Sequence, residues 1–187
     1  MKLLIQSVLL TIVFTVLTGV LYPLAITGIA QVAFKDKANG SLIEKNGQIF
    51  GSELLAQPFT ADKYFWPRPS AADYATVPSG ASNYGPTSAA LQSNVTARAA
   101  AFRAANKLPP DVPVPADMVF ASGSGLDPDI CSEAARLQVR RVAAARGLSA
   151  EQVEGLVDKF IEPPQLGCLG EPRVNVLRLN LALDEAK

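Results

Sequence analysis

From residue 3 to residue 34 no side chain carries a charge, and the run LLIQSVLLTIVFTVLTGVLYPLAITGIAQVAF is bounded by Lys2 and Lys35. At about 1.5 Å per residue such a length makes a helix of roughly 48 Å, against a hydrocarbon core of roughly 30 Å. The pattern predicts one uncleaved membrane anchor over residues 1–35, followed by a globular domain over residues 36–187. A secretory apolar region is shorter, about 7–15 residues, and ends in a small-x-small site; Ala30-Gln31-Val32-Ala33 is a poor one. Pro23 removes a backbone donor within the run and predicts a kink or division there. Thr15, Thr18 and Gly19 form a stripe of small residues and, with Pro23, are candidate contacts to a partner helix; the alternative is that they face lipid. The flanking charges (Lys2 on one side, Lys35 and Lys37 around Asp36 on the other) leave the orientation open.

Beyond the anchor the pattern shortens. Residues 39–47, NGSLIEKNG, contain two Asn-Gly turns and predict a hairpin or bend. Residues 48–57 predict a short apolar strand with Ile49, Phe50, Leu54 and Leu55 turned to the core. Residues 59–86 lack periodicity but hold too many aromatics for a disordered linker. An ordered loop is expected there, in which Tyr64, Phe65, Trp66 and Arg68 are either interface anchors or domain core. A helix follows over 86–107 with Pro86 in its first turn, then a stiff proline-dense connection and a brief strand over 118–121. After the turn SGSGLDPDI, Ser132 caps a helix that stops at Arg146 and Gly147. Ser149 and Gln152 form a capping box for another helix reaching to about residue 161. Residues 174–183 alternate as a strand whose phase slips at Val176 and Leu177, which predicts a bulge or burial on both faces. The fold class is α+β: a single N-terminal transmembrane helix, then one mixed α/β globular domain.

Composition narrows the chemistry. Seventeen Lys and Arg balance seventeen Asp and Glu, which gives no electrostatic reason to seek nucleic acid or acidic lipid. The chain has no histidine, which removes His-dependent triads and most zinc or iron sites. A Ser-Lys hydrolase survives that test, with Ser70 or Ser79 as nucleophile beside Lys63. No P-loop, G-x-G-x-x-G or H-E-x-x-H motif is present. Asp127 and Asp129 would serve a cation only if further oxygens converged on them, whereas Asp before Pro commonly shapes a turn. No metal and no tightly bound cofactor is expected. Cys131 and Cys168 fit neither C-x-x-C nor a zinc spacing. They are a disulfide or two buried thiols, with buried thiols the favoured reading.

The turn SGSGLDPDI, followed by Glu133, Ala134 and Ala135, resembles the C subunit of the Kdp potassium-transporting P-type ATPases, the KdpC family. The resemblance extends to Tyr22-Pro23-Leu24 in the anchor, Asn39-Gly40-Ser41-Leu42, Gly51-Ser52, and Tyr64-Phe65-Trp66-Pro67-Arg68-Pro69-Ser70-Ala71. It continues through Ser82-Asn83-Tyr84-Gly85-Pro86, Pro113-Val114-Pro115-Ala116-Asp117, Arg141-Val142-Ala143, Arg146-Gly147-Leu148, and the run from Leu169-Gly170-Glu171 to Asn175-Val176-Leu177. These blocks lie in family order along almost the whole chain. One departure is visible: the family usually carries His where this chain has Asp129, and Ser or Thr with Pro at Cys131-Ser132. That substitution argues against a catalytic duty for the turn.

The resemblance implies a bacterial inner-membrane complex that imports potassium at the expense of ATP. Its implied partners are a channel-like potassium-translocating subunit and a P-type subunit that hydrolyses ATP. This chain has no D-K-T-G-T motif and no further apolar spans, so it corresponds to the single-span accessory subunit and not to an enzyme. Two roles attach to that subunit, and they conflict. In one it is a catalytic chaperone sharing ATP with the P-type subunit, Ser122, Gly123, Ser124 and Gly125 offering backbone N–H groups to phosphate and Gln138 completing the contact. In the other the domain is extracytoplasmic, over the mouth of the potassium-conducting subunit. The lack of a lysine in the turn and of a Walker motif favours the second. The expectation is an accessory subunit for assembly, stability or gating; the alternatives are a tethered Ser-Lys hydrolase and a stand-alone anchored binding domain.

Overall fold

The computed structural model describes residues 1–45 and 47–186. The chain divides into two compact units, Met1–Ser52 and Glu53–Lys187. The first opens with α1 (Lys2–Val16), a π-helical turn (Leu17–Leu21) and α2 (Tyr22–Ala33), continuous over 32 residues. Pro23 has no N–H for the residue-19 carbonyl, and its ring clashes with a regular turn. Instead of breaking, the ladder widens: the Tyr22 N–H reaches back five residues to the Leu17 carbonyl, the signature of a π turn. Thr18 lies in that turn, with its hydroxyl donating to the Phe14 carbonyl at 2.7 Å.

After α3 (Lys35–Ala38), β1 (Leu42–Lys45) and β2 (Gln48–Ser52) form an antiparallel hairpin with a bulge between Ile43 and Glu44. Asn46, in the expected turn, lies outside the described residues. The expected burial of the second strand fails. Ile49 is 59% exposed, Phe50 43%, and Leu54 and Leu55, which follow the strand, 58% and 36%. A two-stranded ribbon supplies no second layer against which to bury a face.

The second unit contains α4 (Ala89–Asn106), α5 (Ala116–Val119), β3 (Asp129–Cys131), α6 (Ser132–Arg146), α7 (Ala150–Phe160), β4 (Ile161–Glu162), β5 (Arg173–Asn175) and α8 (Val176–Glu185). The strands form an antiparallel sheet in the order β3-β5-β4. Ile130 and Val174 from the sheet meet Val142, Val157, Leu179 and Leu183 from the helices, each at most 1% exposed.

Most helix ends follow the expected chemistry. Gly147 stops α6 with φ +69, the left-handed conformation that glycine adopts cheaply. Ser149 and Gln152 close a capping box on α7. The start of α6 differs: its N-cap is Cys131, whose Sγ accepts the Ala134 N–H at 3.4 Å, and not Ser132. The helix expected from residue 86 begins at Ala89, capped by Ser88. Two strand expectations are overturned. Residues 116–119 form the single helical turn α5. Residues 176–185 form α8, with Val176, Leu179, Asn180 and Leu183 on its buried face. Their spacing of three, four and seven satisfies a helix as well as the L-x-L alternation suggests a strand. Asn175 decides between them, its side chain accepting the Arg178 N–H as N-cap. Neither cysteine is a buried thiol: both are free, Cys131 half-buried and Cys168 exposed.

Candidate functional site

The aromatic segment 64–68 has no regular secondary structure, so its backbone groups need other partners. Two buried amide side chains supply them. Asn180 on α8 accepts the Phe65 N–H at 2.8 Å and donates Nδ2 to the Phe65 carbonyl at 3.0 Å. Gln138 on α6 does the same for the next residue, accepting the Trp66 N–H at 2.8 Å and donating Nε2 to its carbonyl at 3.3 Å. Each amide thus acts as a stand-in for a neighbouring strand. Phe65 is 0% exposed in consequence.

Arg141, one turn along α6, completes this suture. It donates to Gln138 Oε1 (2.7 Å), Asn106 Oδ1 (3.0 Å) and the carbonyls of Asp62 (2.7 Å) and Tyr64 (3.0 Å). Its guanidinium lies 4.1 Å from the Trp66 ring centroid, a cation–π arrangement. Among the described residues no carboxylate is in hydrogen-bond contact with the charge, and burial lowers its pKa to about 10. Tyr64 is fastened less deeply, its hydroxyl donating to Asp184 at 3.0 Å while the Arg146 guanidinium lies 5.0 Å from its ring centroid.

Arg68 carries the segment into the glycine-rich turn. It bonds Asp127 at 2.8 Å, and its buried Nε, 3.6 Å from Asp117 Oδ1, has no hydrogen-bond acceptor among the described residues. The Tyr74 hydroxyl donates to the Arg68 carbonyl at 2.8 Å, and burial raises its pKa. Ser122 N–H bonds the Pro69 carbonyl at 3.1 Å, and Ser122 is 2% exposed. Gly125 has φ +72 and no room beside it: a Cβ there would lie 2.9 Å from the Gly80 carbonyl and 3.1 Å from Ser70 Oγ. Ser124 Oγ accepts the Leu126 N–H at 3.0 Å. Sequence blocks about fifty residues apart are therefore one structural lock.

The nominated site residues fall as follows. Gly123 and Ser124 are exposed, Ser122, Gly125 and Gln138 buried. Gln138 accepts twice and donates twice inside the protein, its second donation going to the Ala134 carbonyl, which exhausts both amide hydrogens. Ser70 Oγ accepts the N–H groups of Ala72 and Tyr74. Lys63 lies over the Tyr64 ring and bonds neither Ser70 nor Ser79 among the described residues. Asp129 pairs with Arg173 at 3.1 Å and accepts from Asn175 at 3.3 Å; burial outweighs Arg173 and raises its pKa. Arg173 also binds Glu162, which binds Arg178. Thr15, Thr18, Gly19 and Pro23 are exposed on the long helix, Thr18 and Gly19 within the π turn. Sequence reasoning missed Arg141, Asn106 and Asn180 as a group. The available signal was a polar residue on an otherwise apolar helix face, as at Asn180 on α8.

Comparison with known proteins shows the family. A model of the family described as KdpC, K+-transporting ATPase, c chain, matches residues 4–185. The potassium-transporting ATPase KdpC subunit of Rhodospirillum rubrum is 58% identical over 174 residues, covering 91% of this chain and 89% of that protein. The KdpC subunit of Mycobacterium tuberculosis is 51% identical over 183 residues, 97% of each chain. That of Herpetosiphon aurantiacus is 54% identical over 179 residues, 94% of this chain and 92% of its own. With its anchor helix and its locked domain both inside the match, the chain belongs to the KdpC family of K+-transporting ATPase subunits.

Proposed function

We propose that the chain is a non-catalytic accessory subunit of a potassium-transporting ATPase complex. The helix crosses the bacterial inner membrane once, and the domain stands on its extracytoplasmic side against the channel-like subunit, contributing assembly and stability. The P-type subunit carries the ATP chemistry. The observation behind this reading is Gln138. Of the groups nominated to meet ATP, it is the only side chain, and all its hydrogen-bonding groups hold Trp66, Arg141 and Ala134. A chaperone contact with nucleotide would require Gln138 to release Trp66 and Arg141, leaving buried polar groups unpaired at about 1–3 kcal/mol each. The geometry thus favours a rigid docking body.

The test is a mild-detergent pull-down of the full-length chain at low potassium, with a potassium-stimulated ATPase assay on the eluate. A P-type subunit and a multi-span partner should co-elute, and activity should fall when this chain is stripped away. In Gln138→Ala complexes that still assemble, the KM for ATP should be unchanged; a raised KM at normal assembly would restore the nucleotide role. Exposed Cys168 reads the orientation. A membrane-impermeant maleimide should label it in intact spheroplasts, and labelling only after lysis would place the domain in the cytoplasm.

A further inference from the structure

The hairpin β1–β2 carries exposed apolar side chains that the domain lock does not account for. Its register pairs Leu42 with Ser52 and Glu44 with Ile49, and side chains alternate along a strand. Leu42, Glu44, Ile49 and Ser52 therefore share one face, while Ile43, Lys45, Gln48 and Gly51 share the other. Leu42 is 54% exposed, Ile49 59%, and Phe50, the extra residue at the bulge, 43%.

This ribbon is fastened to the end of the long helix. Gln31 Nε2, in the last turns of α2, donates to Asn39 Oδ1 at 3.2 Å. Asn39 N–H bonds the Lys35 carbonyl at 3.0 Å and Ser41 N–H the Asp36 carbonyl at 2.9 Å. Ser52 Oγ, at the far end of β2, donates to the Gly40 carbonyl at 2.6 Å. The base of the hairpin thus stands beside the helix terminus, within the same compact unit.

The helix length sets the level of that terminus. At about 1.5 Å per residue the uncharged run is roughly 48 Å long, and a tilt of about 20° leaves roughly 45 Å along the bilayer normal. That matches the roughly 40–45 Å of a bilayer with its headgroup layers. With Lys2 in one headgroup layer, the other end of the run reaches the opposite one, where Phe34 is 60% exposed and Lys35 and Lys37 follow. Lysines with snorkelling stems suit this layer.

We infer that the face of the hairpin bearing Leu42 and Ile49, with Phe50 at its bulge, lies in the headgroup–acyl boundary of the phospholipid bilayer. It would be a second, shallow membrane contact beside the anchor. The occupant is lipid because the face bearing Leu42 and Ile49 follows directly on a membrane-spanning helix and is tied to its end by side-chain and backbone hydrogen bonds, with Glu44 on the same face at the level of the polar headgroups. The contact would fix the direction in which the chain leaves the membrane. This inference rests on the helix spanning the bilayer and not on the subunit assignment.

The experiment uses the full-length chain alone in nanodiscs of phosphatidylethanolamine and phosphatidylglycerol, with Cys131→Ser and Cys168→Ser removing the native thiols. Nitroxide labels are placed by Ile49→Cys, Leu42→Cys and Gln48→Cys in separate proteins, and native Trp66 emission checks the fold. Labels at 49 and 42 should collide freely with oxygen and several-fold less with an aqueous nickel chelate than the label at 48. Equal chelate access at all three positions would overturn the proposal. So would shielding at 42 and 49 that appears only after the ATPase complex is assembled, which would make the face a protein contact. ATPase activity enters neither result, so failure of the subunit reading leaves this one decidable.

Discussion

The segment 64–68 and the hairpin β1–β2 are alike in sequence, each a short apolar stretch among turn residues, and they have opposite fates. In the first, Phe65 is 0% exposed and its backbone is held by the Asn180 amide. In the second, Ile49 is 59% exposed within a regular ladder. Regular hydrogen bonding therefore did not bring burial, and irregular backbone did not prevent it. What separates them is a supply of side chains able to satisfy the buried backbone. Helices α6 and α8 present Gln138, Arg141 and Asn180 to one segment, whereas the two hairpin strands pair with each other.

The largest effect should come from the buried segment. Phe65→Ala removes a fully buried ring, and large-to-small core changes of this kind cost about 3–5 kcal/mol. Thermal unfolding of the detergent-solubilised full chain can be followed by the emission of Trp66, the one tryptophan, which is stacked on Arg141. A loss under about 1 kcal/mol would mean that the suture is not part of the cooperative core.

Gly125→Ala should rank next. The added methyl meets the Gly80 carbonyl at 2.9 Å with φ +72, and strain plus overpacking of this kind costs about 1–3 kcal/mol. Retained stability with weakened assembly would instead assign the turn to a partner surface.

Asp129 tests the half-buried ion pair with Arg173 by pH. Its carboxyl pKa is raised above the ordinary 3.8, mainly by burial. A group whose folded pKa is raised contributes most below its unfolded value, and that contribution is lost as pH rises through the folded one. The stability difference between wild type and Asp129→Asn should therefore shrink or turn negative with rising pH above 3.8. Denaturant unfolding across that range measures it. A difference that grows instead would mean that the ion pair with Arg173 outweighs burial.

The sequence was most legible where the chemistry is local. The capping box at Ser149, the Gly147 stop and the uncharged run all depend on near neighbours, and all are found. It was ambiguous where one pattern satisfies two periods: L-x-L-x-L in α8 reads as strand until Asn175 is counted as an N-cap. It was silent where the cause is tertiary. Gln138 lies on the helix that follows a glycine-rich turn, which suggested a ligand; only the approach of Trp66 from seventy-two positions away reveals its partners. Hydrophobic pattern marked Ile49 and Phe50 as apolar without telling what would cover them.

The smallest effect sharpens the contrast most. Ile49→Ser replaces an aliphatic side chain on β2 that is already 59% exposed. A surface substitution away from caps, turns and buried polar groups changes stability by no more than about 0.5 kcal/mol. In detergent micelles, the midpoint of the Trp66-reported transition should be indistinguishable from wild type. The same variant set beside Phe65→Ala asks whether apolarity or burial determines the loss, since both remove apolar surface. A shift for Ile49→Ser approaching that of Phe65→Ala would show that the hairpin carries core-like burial and would erase the distinction between the two regions. An unchanged midpoint would leave its apolar face without a role in the fold of the domain, so that any role for Ile49 has to be sought at the membrane or at a partner.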